Sequence, residues 1–207
     1  QEISLFLPDA QKLRILSMRN HFSLLTWELV YHLDMEDIYA LLAKCNINYE
    51  KFEHKAVFTC AESEGIDIEI PGAHTKQLLM RDKKGRRHIL AVVMHDKTVD
   101  MKALSEAMEV KNLSFASPDR LKRLLGVDPG SVTPFGLMFD TEKEVEVIFD
   151  EDAWEIDKFR FHPLVNTATL VINREGFEKF LGETGHEFKI MKIPHREKRG
   201  QTPFSFR

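Results

Sequence analysis

The sequence predicts an α/β fold in which helices surround a mixed β-sheet, preceded by a helical extension. Three observations carry that expectation. Strand-like and helix-like apolar periods are both present, but they do not alternate as regularly as a doubly wound βα repeat requires. Residues 76–94 read as an antiparallel β-hairpin, which a purely parallel sheet does not contain. The 207 residues are 43% apolar and 30% charged, which suffices for a real core and about one domain with an extension.

Taken in order, Pro8-Asp9 opens a helical segment whose apolar positions Leu13, Leu16, Phe22, Leu25, Leu29 and Leu33 follow a helical period. Asp34 is the expected N-cap of a second helix that carries Ile38, Tyr39, Leu41 and Leu42 and ends near Asn46. Tyr49–Glu53 alternates as a strand, and Thr59-Cys60-Ala61-Glu62 has the capping-box spacing of a short helix. Lys76–Met80 and Arg87–Met94 form the hairpin around the charged turn Asp82-Lys83-Lys84-Gly85. Met101–Met108 is expected to be helical. Ser117-Pro118 starts another helix through Leu125, because a proline in the first turn lacks only an N–H that would be unpaired there anyway. Strands are expected at Gly136–Phe139, Val145–Phe149 and Ala168–Ile172, a helix at Arg174–Leu181, and a last strand at Phe188–Ile193.

Composition removes several function classes. The two cysteines, Cys45 and Cys60, cannot build a disulfide framework or a CxxC zinc site, so a reducing, cytoplasmic setting is expected. The longest apolar run, Ile89–Met94, is six residues, against about 20 for a membrane span, so a soluble protein without a membrane partner is expected. Gln1-Glu2-Ile3-Ser4 lacks the basic start and apolar run of a signal peptide. A net charge of −4 argues against a generic nucleic-acid binder with a basic surface, and DNA is not an expected partner. Local charge differs. RDKKGRR at 81–87 holds five basic residues and one acid; Arg120, Lys122 and Arg123 form a second cluster; Lys192, Arg196, Lys198 and Arg199 form a third. Each cluster admits two readings, a solvated surface or part of an RNA-binding face.

The stretch RLKRLLGVDPGSVTPFGLMF, Arg120–Phe139, imitates a helix-turn-helix, but Pro134 would fall inside the second helix at a cost of about 3 kcal/mol. A glycine and proline loop before a strand fits better, with Gly130 allowing close backbone approach to a ligand and Pro134 stiffening the loop; an ordinary tight connection fits the same spacing. Nucleophile elbows, P-loops, dinucleotide-binding glycines and HExxH are missing, and the nine histidines show no metal-ligand spacing, so no metal is expected. Cys60 reads as a packed small residue. Lys76, directly after Gly72-Ala73-His74-Thr75 at the start of an apolar strand, is either a surface charge or a functional ammonium.

GAHTKQLLMRDKKGR, Gly72–Arg86, resembles the GGHTKNLFLRDKKG pattern of the YbaK/ProX aminoacyl-tRNA deacylases, relatives of the editing domain inserted in bacterial prolyl-tRNA synthetase. VDMKAL (Val99–Leu104), LSFASPDRLKRLLGVDPGSVTPFGL (Leu113–Leu137), FHPLVNTATLVI (Phe161–Ile172) and FLGETGHE (Phe180–Glu187) follow in the family's order. The resemblance is nearest to the free-standing branch that hydrolyses alanyl-tRNA(Pro), the ProXp-ala type. It implies a YbaK/ProRS-associated domain at 34–194 built on a highly twisted mixed sheet; the N-terminal helical extension at 1–33 and the basic C-terminal tail at 195–207 lie outside the resemblance.

It also implies a pocket that hydrolyses the ester between a wrong amino acid and the tRNA 3′ end, without a cofactor. Lys76 matches the family's functional lysine. Gly130, Ser131, Val132, Thr133 and Pro134 match its GxxxP loop, and His162 and Asn166 match its HPLxN segment. Gln77 stands where the family has Asn. Val132, Leu164 and Val165 are candidates to set the pocket's size. Lys83, Lys84, Arg86 and Arg87 on the hairpin tip are the first choice for tRNA docking, with Arg120, Lys122 and Arg123 next. The implied partners are aminoacylated tRNA(Pro) and, beyond it, prolyl-tRNA synthetase or an elongation factor. Two other readings stay open: a tRNA- or synthetase-binding module that has lost catalysis, suggested by Gln77 and by the unmatched N-terminal segment, and a pyridoxal-type enzyme with Lys76 as Schiff base, for which the phosphate loop and ring partner are not evident.

Overall fold

The computed structural model describes residues 38–55 and 70–196. The chain divides at Asp37/Ile38, and all described residues belong to the second unit. The extension over 1–33, the Asp34 cap, the capping box at Thr59–Glu62 and the tail beyond Arg196 lie outside them.

Residues 38–44 form a helix (α1). It is followed by β1 (Tyr49–Glu53), β2 (Thr75–Arg81), β3 (His88–Met94), β4 (Thr98–Val99), α2 (Met101–Ala107), β5 (Ser114–Phe115) and α3 (Pro118–Leu125). After a 3-10 helix at Pro134–Phe139 come β6 (Val145–Asp150), α4 (Glu151–Trp154), β7 (Lys158–Phe161), β8 (Ala168–Asn173), α5 (Arg174–Thr184), β9 (Phe188–Met191) and β10 (His195–Arg196). The main sheet has the order β5-β2-β3-β6-β9 and is mixed as expected, with β2/β3 antiparallel and β3/β6 and β6/β9 parallel. A second, antiparallel sheet has the order β1-β8-β7, and β4 pairs with β10 in a third. An isolated parallel bridge between Ala73 and Phe159 brings the segment before β2 against β7.

The central strand explains the layering. From His88 to Val93 every residue of β3 is buried, because both faces of the sheet are covered. Leu79, Leu90 and Val92 face a large core that also holds Phe135, Phe149, Phe159, Phe161, Phe177 and Phe180. Phe161 and Phe177 sit 5.2 Å apart, and Phe135 meets Phe180 edge-on at 5.2 Å. Met80, Ile89, Ala91 and Val93 face a smaller core closed by Leu104 of α2, Ile148 and Ile193.

The helices begin and end where their caps dictate. Asp100 accepts from the Lys102 and Ala103 N–H groups at the start of α2, and Asn173 accepts from Gly176 N–H at the start of α5. Pro118 occupies the first turn of α3, and Gly126 ends that helix at φ +70°.

One expectation is corrected. Gly136–Phe139 is a 3-10 turn and not a strand, because Thr133 caps it, Pro134 opens it, and Gly136 packs against Leu125 so closely that a Cβ there would lie 2.6 Å from the Leu125 carbonyl oxygen. The final strand stops at Met191, while β4, β5, β7, β10 and α4 were not expected. Among the described residues, no helix is long and apolar enough to cross a membrane.

Candidate active site

The approach to β2 is shaped by Gly72. Its φ of +95° suits glycine, and a Cβ would lie 2.8 Å from the Lys158 carbonyl oxygen. The next residue, Ala73, donates its N–H to that same oxygen at 2.7 Å. From Thr75 onward the strand alternates: Ala73 and Leu79 join the large core, Leu78 and Met80 the smaller one. Gln77 therefore shares a face with the large core and Lys76 with the smaller, where it stands opposite Val93.

The two neighbours are held by different partners. Lys76 Nζ donates to the His95 carbonyl at 2.9 Å, and His95 N–H donates in turn to the His74 carbonyl at 3.0 Å. The two imidazoles stack at 3.9 Å with planes 12° apart. Gln77 Nε2 donates to Thr75 Oγ1 at 2.8 Å, and that hydroxyl reaches the Arg160 carbonyl of β7 at 3.5 Å. Behind the His95 turn, Lys97 is 8% exposed and pairs with the fully buried Asp150 at 2.7 Å and with Asp152 at 2.5 Å. Burial works against the charge on Lys97, but the two carboxylates overcome it and hold its pKa above the usual lysine value.

The Gly130–Pro134 loop follows α3. Gly130 has φ +91°, and Ser131 spends its N–H on the Asp128 carbonyl at 3.0 Å. Thr133 is fully buried, and its hydroxyl accepts from Phe135 N–H at 3.3 Å, which ties the loop to a core aromatic. Among the described residues, the Val132 and Thr133 N–H groups have no protein acceptor. Val132 packs against the large core, to which Leu164 also belongs.

The HPLxN segment leaves β7. Leu164 is buried with φ +67°, a backbone region that costs a non-glycine residue energy and that clusters at functional sites. His162 Nδ1 lies 3.0 Å from the Ala168 carbonyl, so Nδ1 carries the proton of that bond. Asn166 is half-buried in the turn before β8. His54, which the sequence did not single out, lies edge-on to His162 at 6.1 Å and contacts Thr169 Oγ1 through Nε2 at 3.0 Å. No spacing signal marks it, because the pairing of β1 with β8 brings it there.

The basic candidates divide. Lys83, Lys84 and Arg86 are exposed on the hairpin tip, whose turn is closed by Asp82 accepting from Arg86 N–H at 2.7 Å. Arg87 is engaged by both carboxylate oxygens of Glu146 at 2.6 Å and by the Met108 carbonyl at 3.0 Å. Arg120 donates to His88 Nε2 at 2.8 Å, Arg123 pairs with Glu144 at 2.6 Å, and Lys122 lies 3.7 Å from Asp128. Burial, then the positive charges of Arg120 and Arg123, hold the His88 pKa below its usual value. Among the described residues, no group of three or more His, Cys, Asp or Glu is placed to hold a metal ion.

The sequence model described as "Aminoacyl-tRNA editing domain" matches residues 54–180. Prolyl-tRNA editing protein ProX of Acetoanaerobium sticklandii is 40% identical over 164 residues, which cover 78% of this chain and 100% of that protein. Prolyl-tRNA synthetase associated domain-containing protein 1 of Bos taurus is 34% identical over 156 residues, covering 73% of this chain and 91% of that one. A solved structure, provisionally assigned as a trans-editing enzyme for prolyl tRNA synthetase, superposes with a TM-score of 0.59 at 18% identity over 79% of this chain and 98% of that one, a likeness of fold. With a family match over more than half of its length and a relative alike from end to end, the chain belongs to the aminoacyl-tRNA editing domain family, the YbaK/ProX group of aminoacyl-tRNA deacylases, and is a hydrolase of that family.

Proposed function

We propose that this chain is a trans-editing hydrolase that removes a wrong amino acid from tRNA(Pro), with alanyl-tRNA(Pro) as its preferred substrate. The observation that carries the reading is the 40% identity to Prolyl-tRNA editing protein ProX along that relative's whole length. The aminoacyl ester is already activated, so the site needs no strong nucleophile: water attacks the ester carbonyl carbon, and the ribose oxygen leaves with a proton. What accelerates this is orientation and charge placed where the oxyanion forms.

Lys76 supplies the positive charge, and its bond to the His95 carbonyl supports that role by fixing where the ammonium sits. The Val132 and Thr133 N–H groups, held by the buried Thr133 cap, are the candidate oxyanion donors; losing one such donor costs about 2.7 to 4 kcal/mol in other hydrolases. His162 and Asn166, at the turn between β7 and β8, are the side chains offered to the amino group or ribose of the substrate. A synthetase site made for proline discriminates poorly against the smaller alanine, since each carbon missing from a substrate that fits is worth only about 1 to 3 kcal/mol. A second pocket bounded by Val132, Leu164 and Val165 that rejects proline by size completes a double sieve.

Lys83, Lys84 and Arg86 are the hairpin residues best placed to meet phosphates, because they are exposed on the tip. Hydrolysis of alanyl-tRNA(Pro) by wild type and by Lys76→Ala, with the fold of both followed by circular dichroism, tests the proposal. It expects turnover in the first and near-background rates in the second. Wild-type protein that binds charged tRNA without releasing alanine would instead mark a module that has lost catalysis.

A further inference from the structure

We propose that the buried Lys97–Asp150 pair positions Lys76: it locks the turn at 95–97 and with it the His95 carbonyl that aims the Lys76 ammonium. This deepens the reading above and rests on the role given there to Lys76. The turn leaves β3 at Met94 and enters β4 at Thr98. Its backbone is tied by His95 N–H to the His74 carbonyl at 3.0 Å and by Lys97 N–H to the Met94 carbonyl at 3.2 Å. Beneath it, the Lys97 side chain reaches Asp150, fully buried at the end of β6, at 2.7 Å. Asp150 Oδ1 also accepts from Ile193 N–H at 3.4 Å, so the same carboxylate holds the chain that leads into β10.

A lysine on a surface turn ordinarily keeps its ammonium in water. Lys97 is only 8% exposed. Burying that charge beside a carboxylate incurs a desolvation cost that two apolar side chains of similar volume would avoid, so the pair contributes little to stability that packing could not supply. The role assigned to the pair is therefore to fix the turn in one place. Lys76 has a long flexible stem, and the bond from its ammonium to the His95 carbonyl ties the end of that stem to the turn. A displacement of about 1 Å at a reacting centre can cost about a hundredfold in rate, so a looser turn is felt in turnover.

The test is the double variant Lys97→Met/Asp150→Asn, which removes both charges and keeps the lysine stem and the acceptor for Ile193 N–H. With alanyl-tRNA(Pro), kcat is expected to fall about tenfold with KM within about twofold and the unfolding midpoint retained. In spectra of protein carrying 13C-labelled lysine, the Lys76 ε-methylene signal, assigned by its loss in Lys76→Ala, is expected to change from restricted to averaged. A folded double variant with unchanged kcat, or with reduced kcat and an unchanged Lys76 signal, overturns the positioning role. If the double variant does not fold, Asp152→Asn, at a half-exposed carboxylate, is expected to show the same two changes with about a threefold fall in kcat, and a silent Asp152→Asn overturns the proposal. Full activity in Lys76→Ala overturns the reading of Lys76 itself, whereas an inactive Lys76→Ala beside an unaffected pair variant overturns only the positioning.

Discussion

The Gln77 side-chain amide donates to the Thr75 hydroxyl at 2.8 Å, two residues back on the same face of β2. Through that hydroxyl it leans on the Arg160 carbonyl of β7, the strand that leads into His162. Gln77 is thus built into the link between β2 and β7. Gln77→Asn, one methylene shorter, is expected to keep most deacylation activity, and Gln77→Ala to lose about fivefold, the worth of one hydrogen bond of roughly 1 kcal/mol. Equal single-turnover rates for all three proteins would show that the amide takes no part.

The hairpin tip separates docking charges from structural ones. Reversing Lys83 and Lys84 to Glu is expected to raise KM for charged tRNA and to flatten its salt dependence by about one unit per lost phosphate contact. Hydrolysis of a minimal aminoacyl ester should be unchanged. An unaltered salt slope would move the docking face elsewhere.

Arg87 in the same charge run should behave differently, because Glu146 and the Met108 carbonyl hold its guanidinium. Arg87→Ala is expected to cost about 1 kcal/mol, discounted for the pair's partial exposure, or about 2 to 4 °C in Tm. A melt that matches wild type, with a changed salt slope instead, would make Arg87 a tRNA contact.

Asp140 joins the end of the 3-10 turn to the end of α5. Its carboxylate accepts from Glu144 N–H at 3.0 Å, Val145 N–H at 2.8 Å and His186 Nε2 at 3.1 Å. Burial pushes the carboxyl pKa up, but the His186 hydrogen bond and the two backbone donors outweigh it and hold it below the usual value. A depressed folded pKa gives stability that is present above the unfolded value and is lost as pH falls through the folded one. Asp140→Asn is therefore expected to cost about 2 kcal/mol near neutral pH, about 4 to 8 °C in Tm. The gap to wild type should close in acid, and a gap that stays constant would show that the charge is not what stabilises this junction.

Much of the fold was legible because its signals are local. The hairpin carries its own turn, Asp82-Lys83-Lys84-Gly85, and Ser117-Pro118 marks the start of α3. Gly136–Phe139 was misread because a short apolar run does not distinguish a strand from a packed turn, although Thr133-Pro134 before it is a helix-start signal. Lys158–Phe161 was missed although it alternates, because four residues become a strand only by pairing with β8. For the site, the sequence could point to Lys76 and Gln77 but not to their different partners, since His95 is brought to Lys76 by the hairpin register. The arginine clusters looked alike as charge; only the fold reveals that Arg120 and Arg123 face His88 and Glu144.

The most direct measurement is single-turnover deacylation of tRNA(Pro) charged in turn with alanine, serine, cysteine and proline, using wild-type protein. The account predicts fastest release of alanine and release of proline slower by at least about a hundredfold, as a steric sieve requires. Hydrolysis of prolyl-tRNA(Pro) as fast as alanyl-tRNA(Pro), or hydrolysis of neither, would contradict it.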